Sequence, residues 1–93
     1  MRFLIFFLFF YPVWSFAQPD NVVIRKLLTE LNQAQKNEAR VDILNELSWE
    51  FAPIHFDSAL HYAYEAIQLS KSIHYKEGEG TAYNRMGGAF DMH

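Results

Sequence analysis

Asp57, His61 and Glu65 follow one another at four-residue intervals, which stacks them along one face of a helix. An imidazole between carboxylates at that spacing can hold a divalent metal, but on a solvated face the same residues only exchange weak ion pairs. His55 and His74 fall at opposite ends of the same predicted helix and do not join them. His74, near the C-terminal end, is placed to interact with the helix dipole. Gly78-Glu79-Gly80 makes no phosphate loop, since no strand precedes it, no Lys-Ser/Thr follows it, and Glu79 repels phosphate. Ser48, Ser58, Ser70 and Ser72 lack a nucleophile elbow, and Glu46 and Glu50 pair only across one turn of an exposed face. The absence of cysteine removes thiolate zinc sites, a cysteine nucleophile, disulfides and attachment of lipid through a lipobox. These residues imply no enzyme, no metal and no cofactor.

The elements that carry them are short. A chain of 93 residues allows one small domain, and its net charge of −3 lacks the basic face of a nucleic-acid binder. The 51% hydrophobic content is unevenly spread, with eight of the aromatics inside the first 16 residues. Met1-Arg2 gives a short positive start, residues 3–11 are all apolar, and Pro12 follows. Ser15-Phe16-Ala17 then offers small residues at the two positions a signal peptidase reads. Residues 3–17 fall short of the roughly 20 apolar residues that span a bilayer. A core helix would need a polar face, which this run lacks. The expected reading is a signal peptide over residues 1–17, cleaved after Ala17, and an uncleaved anchor is the alternative.

The remainder carries helical periodicity throughout and no strand-like alternation, so the predicted fold is all-α. Pro19-Asp20-Asn21 opens a leading helix over 21–35, whose Ile24, Leu27, Leu28 and Leu31 share a face. A second helix is expected over 38–52, closed by Pro53. A third is expected with Asp57 as its N-cap, running to about residue 73, with Ala59, Ala63, Ala66 and Ser70 as a small-residue stripe. A fourth starts near residue 77 or 79, its glycines making it dependent on packing. Gly87-Gly88 is expected to be its close-packing point.

Leu44, Leu47, Ser48 and Phe51 recur 39 residues later as Tyr83, Met86, Gly87 and Phe90: large, large, small, aromatic. With Ala59, Ala63 and Ala66 between them, the chain resembles the tetratricopeptide repeat (TPR) family over residues 41–93. The resemblance implies antiparallel helix hairpins: a leading segment over 18–37, one full repeat over about 41–79, and the first helix of a second. Several positions depart from the family pattern. Leu44 and Tyr83 replace a frequent tryptophan, Ser48 a glycine and Ala63 an aromatic, no proline closes the repeat, and the period exceeds the usual 34 or so.

The resemblance also implies a concave groove that binds a protein or peptide, lined by Asn45 and Trp49 on one helix and Asn84 and Gly88 on the next. Asparagine suits hydrogen bonding to an extended peptide backbone. Trp49 is either an exposed anchor or a residue packed on the leading helix. The layout is similar to the exported TPR region that opens some bacterial signalling proteins, where a membrane helix and an output domain follow. The expectation is therefore a non-catalytic interaction module, periplasmic or secreted, and a piece of a longer array tethered by a downstream helix. The alternative is a self-contained secreted protein that completes its core by self-association.

Overall fold

The computed structural model describes residues 21–92, so the expected signal peptide lies outside the described residues. Four helices occur among the described residues: α1 (Val22–Gln33), α2 (Glu38–Phe51), α3 (Phe56–Ser72) and α4 (Lys76–Asp91). No strand occurs among the described residues, and no helix there is long and apolar enough to cross a membrane.

α1, α2 and α3 each begin where a side chain satisfies a free amide, whereas Tyr75 at the start of α4 makes no such bond. The Asn21 carboxamide oxygen accepts from the Ile24 amide at 3.0 Å, and that of Asn37 accepts from Arg40 at 3.3 Å. The Arg40 guanidinium reaches back, donating to the Leu31 carbonyl at 2.9 Å and the Ala34 carbonyl at 3.2 Å. Those carbonyls lie where α1 runs out of internal donors, so one cation closes α1 and anchors the turn into α2.

α3 starts two residues earlier than its acidic residue suggests. His55, not Asp57, is its N-cap, with the imidazole Nδ1 accepting from the Ser58 amide at 3.2 Å. Asp57 sits in the first turn, where its charge still favours the positive end of the helix dipole. At the other end His74 adopts a left-handed conformation, φ 61°, and is exposed. The Tyr75 amide donates to Ser70 and the His74 amide to Lys71, the paired bonds of a Schellman turn. His74 thus ends the helix through its backbone.

Neighbouring helices alternate in direction. Ile24 and Leu27 of α1 pack on Leu47 of α2, with Phe51 and Tyr62 stacked beside them at 5.6 Å. Leu44 meets Ala66, and the Ser48 hydroxyl donates to the Ala59 carbonyl at 2.8 Å, which sets α2 and α3 antiparallel. Ala59, Ala63, Ala66 and Ser70 are completely buried, so the small-residue stripe lets the two backbones close up. Ala82 joins the Leu44–Ala66 cluster, while Ala89 joins Ala52 and Ala59, bringing α4 across both α3 and α2.

α4 packs through a different face from the one its sequence pattern suggests. Gly78, Ala82 and Ala89 are its buried residues, whereas Tyr83 and Phe90 are 49% and 58% exposed and Gly87 is exposed. Of the expected stripe, Met86 is partly packed against the Val41–Leu44 cluster, and the exposed Phe90 meets the Phe56 ring edge-to-face at 5.4 Å between centroids. The reason is positional: α3 covers the matching stripe of α2, and α4 meets α2 and α3 with its opposite side. The close approach falls at Gly78 and not at Gly87-Gly88. A Cβ at Gly78 would stand 2.5 Å from Tyr75 and 2.6 Å from Val41, while one at Gly87 or Gly88 meets nothing within 4 Å.

Gly78→Ala therefore tests this packing. The added methyl overfills a site closed by fully buried Val41, at about 1–3 kcal/mol, against a helix-propensity gain of about 1 kcal/mol. The expected outcome is a lower urea midpoint than the parent with an unchanged slope.

Candidate functional site

α2 and α4 lie side by side and run in the same direction, because three contacts between them advance together. Asp42 meets Tyr75, Asn45 meets Gly78, and Trp49 meets Arg85. A groove-lining residue of a helical repeat belongs at this seam or on its open edge, so each expected position can be placed against it.

Asn45 is not on the surface. It is 4% exposed, and its Nδ2 donates to the Gly78 carbonyl at 3.1 Å, a bond made possible by the same glycine that lets the helices close up. Its Oδ1 is buried and has no hydrogen-bond partner. Asn45 therefore holds α2 to α4 and does not face a bound peptide. The 39-residue match with Asn84 hides this difference: Asn84 is exposed, because no equivalent helix lies against its side of α4 among the described residues.

Trp49 is 51% exposed and is not packed on α1. The Arg85 guanidinium lies over its ring, 4.8 Å from the centroid, a cation–π contact of about 0.5–1 kcal/mol at an exposed position. Arg85 itself is partly buried, and its Nε has no hydrogen-bond partner. The indole is thus held from one side by a cation and open on the other, which is the posture of an anchor residue. Gly88 is partly buried one turn further along α4 and leaves that open side without a side chain.

At the other end of the seam the Tyr75 hydroxyl donates to the Asp42 carboxylate at 2.9 Å. This bond, with some burial and the negative charges of Asp42, Glu77 and Glu38, pushes the Tyr75 hydroxyl up to about 12. Asp42, Tyr75, Gly78 and Arg85 are absent from the sequence-based set. Gly78 and Ala82 with Ala89 do form a small-residue stripe in the sequence, and that stripe marks the packed face on which Arg85 lies.

The other constellations keep to the surface. His61 Nε2 and Glu65 Oε2 stand 3.2 Å apart on adjacent turns of α3, an exposed pair that needs a protonated imidazole to carry charge. No cluster of three metal-ligating groups occurs among the described residues. A cleft of about 430 Å³ between the α1–α2 turn and α3 is lined by Lys36, Arg40, Tyr64 and Gln68 among others, and none of the four groove positions borders it.

The family model described as the SusR N-terminal TPR domain matches residues 15–90. The match takes in α1 as well as the repeat, extending beyond the 41–93 region that the repeat pattern alone marks out, and it begins just before the expected cleavage point. No curated protein and no solved structure matches the chain.

The Tyr75 bond makes a pH prediction. Folding favours the neutral hydroxyl, so its contribution is present below the ordinary value near 10 and is lost as pH rises through about 12. Asp42→Asn is expected to bring the Tyr75 titration down toward 10, followed by tyrosinate absorbance, with Tyr75→Phe removing that step from the curve.

Proposed function

The chain belongs to the SusR N-terminal TPR domain family, and from that membership we propose that it is the exported, peptide-binding input region of a bacterial signal-transduction protein. TPR domains act in protein–protein interaction, and the partner here is a protein or peptide segment. The observation that carries the reading is Trp49: a large aromatic half in solvent, fixed by Arg85 on the seam between two parallel helices. Tryptophan is over-represented among residues that dominate binding energy, since one rigid ring buries much area at little entropic cost. Asn84 and Gly88 extend the same side of α4, the first supplying a donor and an acceptor, the second room for a backbone to approach.

Export rests on residues 1–17, whose positive start, apolar run and Ser15-Phe16-Ala17 site follow the layout of a signal peptide. Placed outside the inner membrane, the module meets ligands that the cytoplasm does not, which suits an input role. Tethering through a membrane helix and coupling to a cytoplasmic output domain complete the proposal.

Two measurements test it. Peptides selected on the chain from a random displayed library are expected to lose at least tenfold in affinity with Trp49→Ala, about 1.4 kcal/mol, and to be unaffected by Tyr64→Ala on the far side of α3. Equal losses from both substitutions would dismiss the Trp49 face as the binding site. For export, a phosphatase reporter that is active only outside the inner membrane, fused behind the chain, is expected to be active. N-terminal sequencing of that product is expected to begin at Gln18. An inactive fusion, or a product that retains Met1, defeats the export or the cleavage respectively.

A further inference from the structure

α3 outruns the helix it packs against. Its 17 residues run antiparallel to the 14 of α2, so its last turns stand beside the turn that joins α1 to α2. A cleft of about 430 Å³ opens in that angle, within the roughly 300–1,000 Å³ of small-molecule sites. Leu44 and Leu69 give it an apolar lining, to which the exposed Tyr64 adds an aromatic ring.

Charge in the cleft is unbalanced. Lys36 and Arg40 both line it, and neither forms an ion pair among the described residues. Glu65 is the one carboxylate in the lining, and it stands 3.2 Å from the His61 imidazole.

Arg40 is also held in one orientation. Its Nη1 donates to the Leu31 and the Ala34 carbonyls, which uses both hydrogens of that nitrogen. Nε and Nη2 have no partner among the described residues, and neither is buried. Together they make the side-on edge of the guanidinium, a pair of parallel N–H donors matched to the two oxygens of a carboxylate. The contact that closes α1 thus fixes one edge of the cation and leaves the other ready to bind.

The rest of the lining narrows the ligand. Two cations against one carboxylate leave a single positive charge, which balances one carboxylate and not a phosphate monoester of roughly −1.5 to −2. An aromatic and aliphatic wall beside those cations calls for an apolar body on the same molecule.

We propose that this cleft binds a small organic monocarboxylate with an apolar or aromatic body. Its carboxylate pairs with the Nε–Nη2 edge of Arg40 beside Lys36, and its body lies on Tyr64 and Leu69. The site is separate from the Trp49 seam, since neither Trp49 nor Arg85 borders the cleft.

Titration of the full chain with 3-phenylpropionate, followed by backbone amide NMR shifts, tests this. The uncharged 3-phenylpropanol and inorganic phosphate serve as comparators. The acid is expected to bind with a dissociation constant of about 1 mM, shifting the amides of Arg40, Tyr64 and Gln68 and not that of Trp49. The alcohol and the phosphate are each expected to bind at least tenfold more weakly. Lys36→Gln and Tyr64→Ala change exposed side chains, so each is expected to weaken binding at least threefold at an unchanged melting temperature. Trp49→Ala is expected to leave it unchanged. Arg40→Lys keeps the charge but not the fork, and is expected to cost at least tenfold. Because Arg40 also closes α1, its melting temperature is followed in parallel, and the Lys36 and Tyr64 variants decide the matter if it unfolds. No saturable shift up to about 10 mM overturns the proposal, as does equal binding of the alcohol or the phosphate. Shifts centred on Trp49, or full affinity in a folded Arg40→Lys chain or in both exposed variants, overturn it as well.

Discussion

The hydrogen bond from Ser48 to the Ala59 carbonyl, 2.8 Å long and fully buried, marks the point on which the fold depends. A side-chain hydroxyl reaches a backbone carbonyl of the adjoining helix only if nothing larger than a methyl group stands between the two backbones. Ala59, Ala63 and Ala66 meet that requirement, and Leu44 and Leu47 fill the space on either side. α2 is thereby committed on this face, and its two flanks become the platforms for everything else. Leu47 and Ile43 receive α1, while Val41, Asn45 and Ala52 receive α4. A helix of 14 residues with three occupied faces has one left over, and Trp49 stands at its edge. Its exposure follows from the geometry of its neighbours.

The α2–α4 seam differs in kind from the α2–α3 interface. Apolar burial dominates the latter, whereas polar groups pair along the seam from end to end: a tyrosine to a carboxylate, a carboxamide to a carbonyl, a guanidinium to an indole. Such contacts contribute modest stability and strong registry, because a shift of one residue along the helix leaves buried groups unpaired. Asn45 illustrates the cost. It gains one bond to Gly78 and keeps an unpartnered Oδ1 in the interior. Replacing it with leucine would bury more apolar surface but would no longer specify which turn of α4 lies opposite.

Helical periodicity and start signals made the four elements legible in the sequence, and the 39-residue recurrence of Leu44-Leu47-Ser48-Phe51 exposed the repeat. The cap of α3 was not legible. An aspartate and a histidine two residues apart both qualify locally, and the turn closed by the His55 amide on Phe51 brings the imidazole to Ser58 first. The packed face of α4 was equally hidden, for a deeper reason. Periodicity reports that a helix has an apolar stripe and is silent on whether another element covers it. α4 has two candidate stripes, one of large residues and one of glycine and alanine. Large residues dominate any count of hydrophobicity, yet the small ones make contact, because α2 and α3 leave room for a backbone only. The same blindness affected the groove: the repeat equates Asn45 with Asn84, but the first has a helix beside it and the second does not.

That asymmetry turns one repeated pattern into two kinds of surface. On α2 the Leu44–Phe51 stripe is core, and the adjoining edge runs from Asn45, buried in the seam, to the exposed Trp49. On α4 the matching Tyr83 and Phe90 are exposed among the described residues, while the side toward α2 is core through Gly78, Ala82 and Ala89. A TPR-type module therefore does not assign function by residue type. Each helix offers the same faces in the same order, and the succession of neighbours decides which are consumed. Surface is what remains, so its chemistry is drawn from whichever residues escape packing, as Trp49 does beside Arg85 at the edge of α2.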